Sequence, residues 1–227
     1  IDNERSYYYK GEDVEAVPHV VDEIIRRITE AGEKEKADIV LVELGGTAGE
    51  YQNSLYYEAA RQMELSDIGR EKGHPVIHVH VSYVPIPKHL GEPKTKPTQL
   101  SIKILMGMGI QHDFLVTRCE WPLDKRIKYL LGLTCNIQEE NIIDNPDVDT
   151  IYELPLVFAK QDFDRKVLTA LGLKIRRPDL GSWRNLVKSI KKLKNKSVEV
   201  ALVGKYFHTG ESYMLGDSYA ALIEALK

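Results

Sequence analysis

The sequence predicts an α/β fold built on a three-layer parallel sheet, and the order of its segments carries that prediction. Short apolar runs of strand character, such as DIVLVEL at 38–44 and DFLVT at 113–117, alternate with longer stretches of helical periodicity. Strands separated by helices of about 10–15 residues join as parallel βαβ units. The run at 38–44 is continuously apolar, as expected of a strand covered on both faces.

Taken in order, Val17 to Ala31 places Val20, Val21, Ile24, Ile25 and Ile28 on one helical face, with Gly32 as its stop. Asp38 to Leu44 is the first strand, Ser54 to Arg70 a helix, and Val76 to Val84 a second strand. Thr98 to Met108 is helical, Asp113 to Thr117 a third strand, Leu123 to Leu131 a helix and Leu133 to Ile137 a short strand. Asp147 to Leu171 holds one or two further helices. Near Ile175 the composition changes: IRRPDLGSW reads as a connector, and Trp183 to Leu193 as a basic amphipathic helix. Its run of Lys188, Lys191, Lys192, Lys194 and Lys196 reads as a solvated face. Val198 to Gly204 then predicts a new buried strand and Ser218 to Lys227 a new helix, the opening of a second α/β domain. The predicted divisions are 1–174, a linker at 175–197, and 198–227.

Composition narrows the function classes. The 227 residues are 43% apolar and 29% charged, enough to bury a core without disulfides or metals. With 31 basic and 34 acidic residues the net charge is -3, which gives no global attraction for nucleic acid or an anionic membrane. No apolar run approaches the roughly 20 residues that span a bilayer, and the tyrosine-rich start is no signal peptide. Two cysteines, Cys119 and Cys135, are too few for a disulfide scaffold and read as buried thiols in a reducing compartment. The expected location is cytoplasmic, with no nucleic-acid and no membrane partner.

In parallel sheets ligands gather at the carboxyl ends of strands, which singles out the loops after Leu44, Val84 and Ile137. The first follows Glu43 and carries Gly45, Gly46 and Gly49. A carboxylate closing a buried strand suits magnesium near phosphates, and the glycines let backbone approach a ligand. Equally, Glu43 reads as a cap for the following turn. In the second loop, GEPKTKPTQ at 91–99, Lys94 and Lys96 point the same way if the chain is extended. Pro97 or Thr98 then opens a helix whose free N–H groups favour an anion such as a triphosphate; two solvated lysines are the plainer reading. In NPDVDTIYELP at 145–155, Asp147 reads best as a helix cap, with Asp147 and Asp149 as cation or ribose ligands the alternative. His78 and His80 alternate on a strand but lack a third ligand, so they read as packing residues. No GxxxxGK[ST], no GxSxG and no Cys–His nucleophile pair is present.

The ordered set VELGGTAGE, EAARQM, HVSYVP, GEPKTKPTQLSIKILMGMGIQHDFL, DVDTIYELPL, VEVALVGKY and EALK resembles CTP synthase, from about Gly11 to Lys227. The resemblance implies a P-loop NTPase-like (Rossmann-like) synthetase, or amidoligase, domain over 1–174 and the first strand and helix of a class I glutaminase domain at 198–227. It implies an enzyme that aminates UTP to CTP: ATP phosphorylates the uracil 4-oxygen, and ammonia derived from glutamine displaces that phosphate. It further implies Mg2+, CTP as a feedback inhibitor, and a homotetramer that also forms filaments. The family's phosphate loop would lie upstream of Ile1 and its glutaminase nucleophile downstream of Lys227, so this portion alone is expected to be inactive.

Carried over by position, Glu43 matches the magnesium-binding glutamate. Lys94, Thr95, Lys96, Pro97, Thr98 and Gln99 match the segment for the UTP or CTP triphosphate, with Lys94 and Lys96 as the catalytic lysines. Glu50, Tyr51 and Gln52 match pyrimidine-nucleotide contacts, and Pro146, Asp147 and Val148 the ATP adenine contact. Departures from the family pattern are Gln52 where a glutamate is common, Pro146 for a lysine, Leu130 at a nucleotide-binding lysine position, and extra residues between Arg61 and Lys94. Lys128 sits two positions before Leu130, about 200° around a helix, and is no obvious replacement. The alternative reading is an inactive nucleotide-binding regulatory paralogue or an assembly subunit.

Overall fold

A computed structural model describes residues 1–65, 76–192, 198–205 and 216–226. They form two units, 1–148 with 157–177, and 149–156 with 178–227.

In the first unit, a short turn α1 (Asp2–Arg5) and an irregular turn at Ala16–Val20 precede α2 (Val21–Glu35). On α2, Glu23 accepts from Arg26 and Arg27, three and four residues on, the spacing at which helix side chains meet. Gly32 does not stop this helix, which closes at left-handed Lys36. The glycine instead makes room: a Cβ there would lie 2.8 Å from Val40 Cγ2. Asp38–Leu44, expected as a buried strand, joins no ladder among the described residues, and Leu41 is 93% exposed. A turn at Tyr51–Asn53 leads into α3 (Ser54–Leu65); the remainder of the expected helix, 66–70, lies outside the described residues.

The sheet is three parallel strands in the order β1-β2-β3: β1 (Val79–Tyr83), β2 (Phe114–Cys119) and β3 (Ile142–Pro146). The connections carry α4 (Lys96–Gly107) and α5 (Lys125–Cys135). Val79 pairs with Phe114 and Leu115 with Ile142. Central β2 is buried on both faces, as a middle strand between helical layers must be. On one side Leu115, Cys119 and Ile142 pack with Ile102 of α4 and with Leu131 and Cys135 of α5. On the other, Phe114 meets Phe163 edge-on at 5.5 Å, and Phe163 meets Phe158. Those two rings belong to α7 (Phe163–Ala170) and α6 (Leu154–Ala159). The α/β prediction holds, as a three-stranded parallel sheet with helices.

The expected strand at Leu133–Ile137 is instead the end of α5. Asp124 caps that helix by accepting from the Ile127 N–H at 2.8 Å, and left-handed Asn136 ends it. Leu131 and Cys135, four apart, share its buried face, so the helical period wins over the β-branched look of LTCNI. The strand lies further on, at IIDNP.

In the second unit, α8 (Gly181–Lys192) buries Val187, and Trp183 stands against Tyr152 with ring centroids 6.1 Å apart. Lys191 pairs with Glu153 at 2.6 Å, so this member of the basic run is a partner in an ion pair rather than a free cation. Val198–Gly204, expected as a buried strand, has no ladder among the described residues, and Val203 is 99% exposed. A turn at Gly216–Tyr219 and α9 (Ala220–Leu226) match the expected helix. No described helix is long and apolar enough to cross a membrane.

Candidate functional site

Parallel strands put their carboxyl ends on one edge, and the loop after β1 runs there to the start of α4. The Lys94 N–H donates to the Pro85 carbonyl at 2.9 Å, folding the loop back on its strand. Thr95 is the N-cap residue with φ -87° and ψ -12°, so the chain is already turning helical there. The alternation expected of Lys94 and Lys96 in extended chain therefore does not apply.

The six residues divide by environment. Thr95, Thr98 and Gln99 are buried. The Gln99 amide donates to Thr95 Oγ1 at 3.0 Å, so that hydroxyl serves a side chain and not the helix N–H groups. Thr98 Oγ1 and Ser82 Oγ of β1 lie 2.8 Å apart in a hydrogen bond. Lys94 is bonded to Glu92, and the ammonium holds that carboxyl below its ordinary value. Lys96 is exposed and has no ion pair among the described residues. Pro97 occupies the first turn, where a missing N–H costs nothing. An uncapped helix start with an exposed lysine on it can receive an anion.

The glycine turn is built around Glu50. Its carboxylate accepts from the Thr47 N–H at 2.7 Å and from the Gln52 side-chain amide. Gly46, at φ +92°, lies so close that a Cβ would stand 2.3 Å from Glu50 Oε2. Tyr51 projects into solvent, while the buried Asn53 amide donates to the Gly45 carbonyl at 2.7 Å. Gly49, at φ +86°, passes against α4: a Cβ there would lie 2.7 Å from Ile104 Cγ2. The turn and the helix that starts with Lys96 are thus brought together. Glu43 lies on the wall of a cleft of about 370 Å³ with Ile24, Ile28, Leu44 and Tyr56.

At the end of β3, Asp147 is not a helix cap. Its N–H donates to the Cys119 carbonyl at 3.1 Å, extending the ladder, and its carboxylate pairs with Arg118 at the end of β2. The next helical turn begins only at Ile151, behind Thr150. Pro146 closes β3 and Val148 follows Asp147 on the same edge. Sequence reasoning missed Arg118; its only signal was a basic residue just inside the end of a buried strand. Lys128 is committed elsewhere, to Asp144 at 2.6 Å and the Ile142 carbonyl at 3.3 Å, so it does not stand in at Leu130.

Other candidate groups are accounted for by burial and packing. Burial raises the Cys119 and Cys135 thiols above their ordinary values, which disfavours a thiolate. No group of three metal-ligating side chains occurs among the described residues. His80 binds Ser101 and rests edge-on against His112, with ring centroids 4.9 Å apart.

These features define an α/β protein whose polar loops crown the carboxyl edge of a parallel sheet, where such folds bind ligands. Comparison with known proteins gives the family. The family model described as CTP synthase N-terminus matches residues 1–173, and the chain belongs to that family. It is 42% identical over 226 residues to a CTP synthase of Methanopyrus kandleri and 44% identical over 227 to one of Thermococcus gammatolerans. To a CTP synthase of Bacillus licheniformis it is 40% identical over 224 residues. These matches take in 99–100% of this chain and 40% of each relative's length.

Proposed function

We propose that the chain is the nucleotide-binding part of a synthetase that makes CTP from UTP, ATP and ammonia, the ammonia coming from glutamine in the intact protein. In this reaction the γ-phosphoryl group of ATP passes to the uracil 4-oxygen; ammonia then bonds to C4, and inorganic phosphate leaves with that oxygen. The observation that carries the reading is the start of α4: Lys96 stands exposed, without an ion pair among the described residues, on an uncapped helix N-terminus. The helix N–H groups and the ammonium together suit the triphosphate of UTP, or of CTP as inhibitor. Lys94, once released from Glu92, adds a second cation. Buried Thr95, Thr98 and Gln99 then shape this segment from behind.

Glu50, Tyr51 and Gln52 serve the pyrimidine nucleotide in this reading, on a turn that packs against the same helix. Pro146, Asp147 and Val148 serve the adenine of ATP through backbone at the end of β3, with Arg118 fixing the Asp147 carboxylate. Glu43 would hold Mg2+: its carboxylate is exposed at a cleft and unpaired among the described residues. One carboxylate fits an ion that takes most of its ligands from phosphates and water. When bound, Mg2+ would neutralise phosphate charge.

A regulatory, non-turnover role is the second reading, favoured by Gln52. Its neutral amide is spent on Glu50, so the turn offers one anionic group where a glutamate would supply two. CTP formation by the intact gene product, from UTP, ATP and ammonia, tests the first reading. Lys96→Ala is expected to lower it at least a hundredfold, since removing a charge-bearing contact to a phosphate costs about 3 kcal/mol or more. Normal turnover in that variant removes Lys96 from the site, and no CTP from the parent leaves the regulatory reading. Equal CTP inhibition of the parent and Gln52→Glu would remove the role given to Gln52.

A further inference from the structure

Strand β1 turns its polar side chains inward and its apolar ones outward. His80 and Ser82 face α4, while Val79, Val81 and Tyr83 are exposed, Val81 by 63%. A strand against a helix ordinarily uses apolar contact, which is non-directional and lets the two slide. Here the contact is polar and directional. Ser82 bonds Thr98 at 2.8 Å, and His80 Nε2 bonds Ser101 Oγ at 2.9 Å. Thr98 and Ser101 are three apart, one above the other on the same helix face. The two strand residues are two apart on one strand face. Two rungs therefore join β1 to the first turns of α4.

Ser101 has one hydroxyl proton, which it donates to the Thr98 carbonyl at 2.9 Å. With that proton on the carbonyl, the Ser101 oxygen is free to accept from His80 Nε2. Burial lowers the His80 pKa below its ordinary value, which favours the neutral ring.

We propose that Ser82 and His80 are positioning residues for nucleoside triphosphate binding: by hydrogen bonding Thr98 and Ser101 they fix the height and rotation at which α4 presents Lys96. The inference rests on reading 94–99 as the triphosphate segment. Thr98 is two residues past Lys96 and fully buried, so an error in its placement passes directly to the lysine and the free N–H groups. The effect should fade along the helix, being larger for the Ser82 rung than for the Ser101 rung one turn further on.

The test measures KM for UTP, KM for ATP, kcat and thermal midpoint on the intact gene product. Ser82→Ala should raise the KM for UTP about five- to tenfold, with kcat and the KM for ATP within about twofold. Ser82→Thr, which restores the hydroxyl, should return the KM for UTP to within about twofold of the parent. Ser101→Ala should raise it about two- to threefold. An unchanged KM for UTP in Ser82→Ala, or a loss of kcat that simply follows the fall in thermal midpoint, overturns the proposal. If Ser82→Ala does not fold, Ser101→Ala decides in the same way. Lys96→Ala serves as the separate control: normal use of UTP by that variant defeats the triphosphate reading itself, whatever Ser82→Ala does.

Discussion

Residues 38–44 and 114–119 have nearly the same character on paper, and the structure treats them oppositely. FLVTRC lies between two hydrogen-bonded neighbours with helices on both faces, and Leu115 is fully buried. DIVLVEL joins no ladder among the described residues, and most of its side chains are exposed. The difference teaches that an apolar run supplies only half of a strand. The other half is a pair of edges whose N–H and C=O groups match its own. VEVALVG at 198–204 repeats the lesson.

This contrast can be tested through stability. Leu115→Ala in β2 should cost about 3–5 kcal/mol in denaturant titrations, from lost burial plus a cavity that close-packed neighbours cannot collapse. A loss below about 1 kcal/mol would contradict the central placement of β2. Next comes His112, which precedes β2, is buried and has no partner for Nδ1 among the described residues. Burial, with smaller contributions from His80 and His78, lowers its pKa to about 4 from the ordinary 6.5. The sign follows: the unfolded chain binds a proton first, so stability is full above pH 6.5 and is lost as pH falls towards 4. The loss is on the order of 3 kcal/mol. The thermal midpoint of the parent should fall steeply over that window, and His112→Gln should flatten the slope. An equal slope in both would assign the acid sensitivity elsewhere.

Asp144→Asn should have a smaller effect, about 2 kcal/mol. Asp144 accepts from Lys128 at 2.6 Å and the Leu123 N–H at 3.1 Å, and the amide weakens the charged contact. The loss should persist in high salt, because both groups are mostly buried. Smallest is Leu41→Ala, at 93% exposure, which should lie within about 0.5 kcal/mol in this chain. A cost matching that of Leu115→Ala would show that 38–44 is buried after all, and would dissolve the contrast.

Much of the fold could be read directly. The helix at 96–107, the first part of the helix at 125–135 and the strand at 114–119 follow from periodicity, while the Asp124 cap appears only in the structure. Strand β3 was missed because IIDNP ends in turn-forming residues, while LTCNI nearby looks more strand-like. Only burial of Leu131 and Cys135 on one helical face decides between them. In the site, charged residues were legible and their partners were not. Lys94 and Lys96 stand out in KTKPTQ, yet nothing local says that Glu92 occupies the first and not the second. The Arg118–Asp147 pair joins residues 29 positions apart in sequence (147 minus 118), which only the parallel register of β2 and β3 brings together. Asp147 therefore looked like a cap.

Gly49 has a consequence beyond its own turn. The spacing between the turn at 45–50 and α4 is set by a bare Cα resting on a methyl of Ile104. The Ile104 methyl fills the place a side chain at 49 would need, so the close approach of the two segments depends on that position being glycine. Any larger residue at 49 would press on α4 at Ile104, eight positions along the helix from Lys96. A substitution at Gly49 should therefore disturb the helix that starts with Lys96 as well as its own turn.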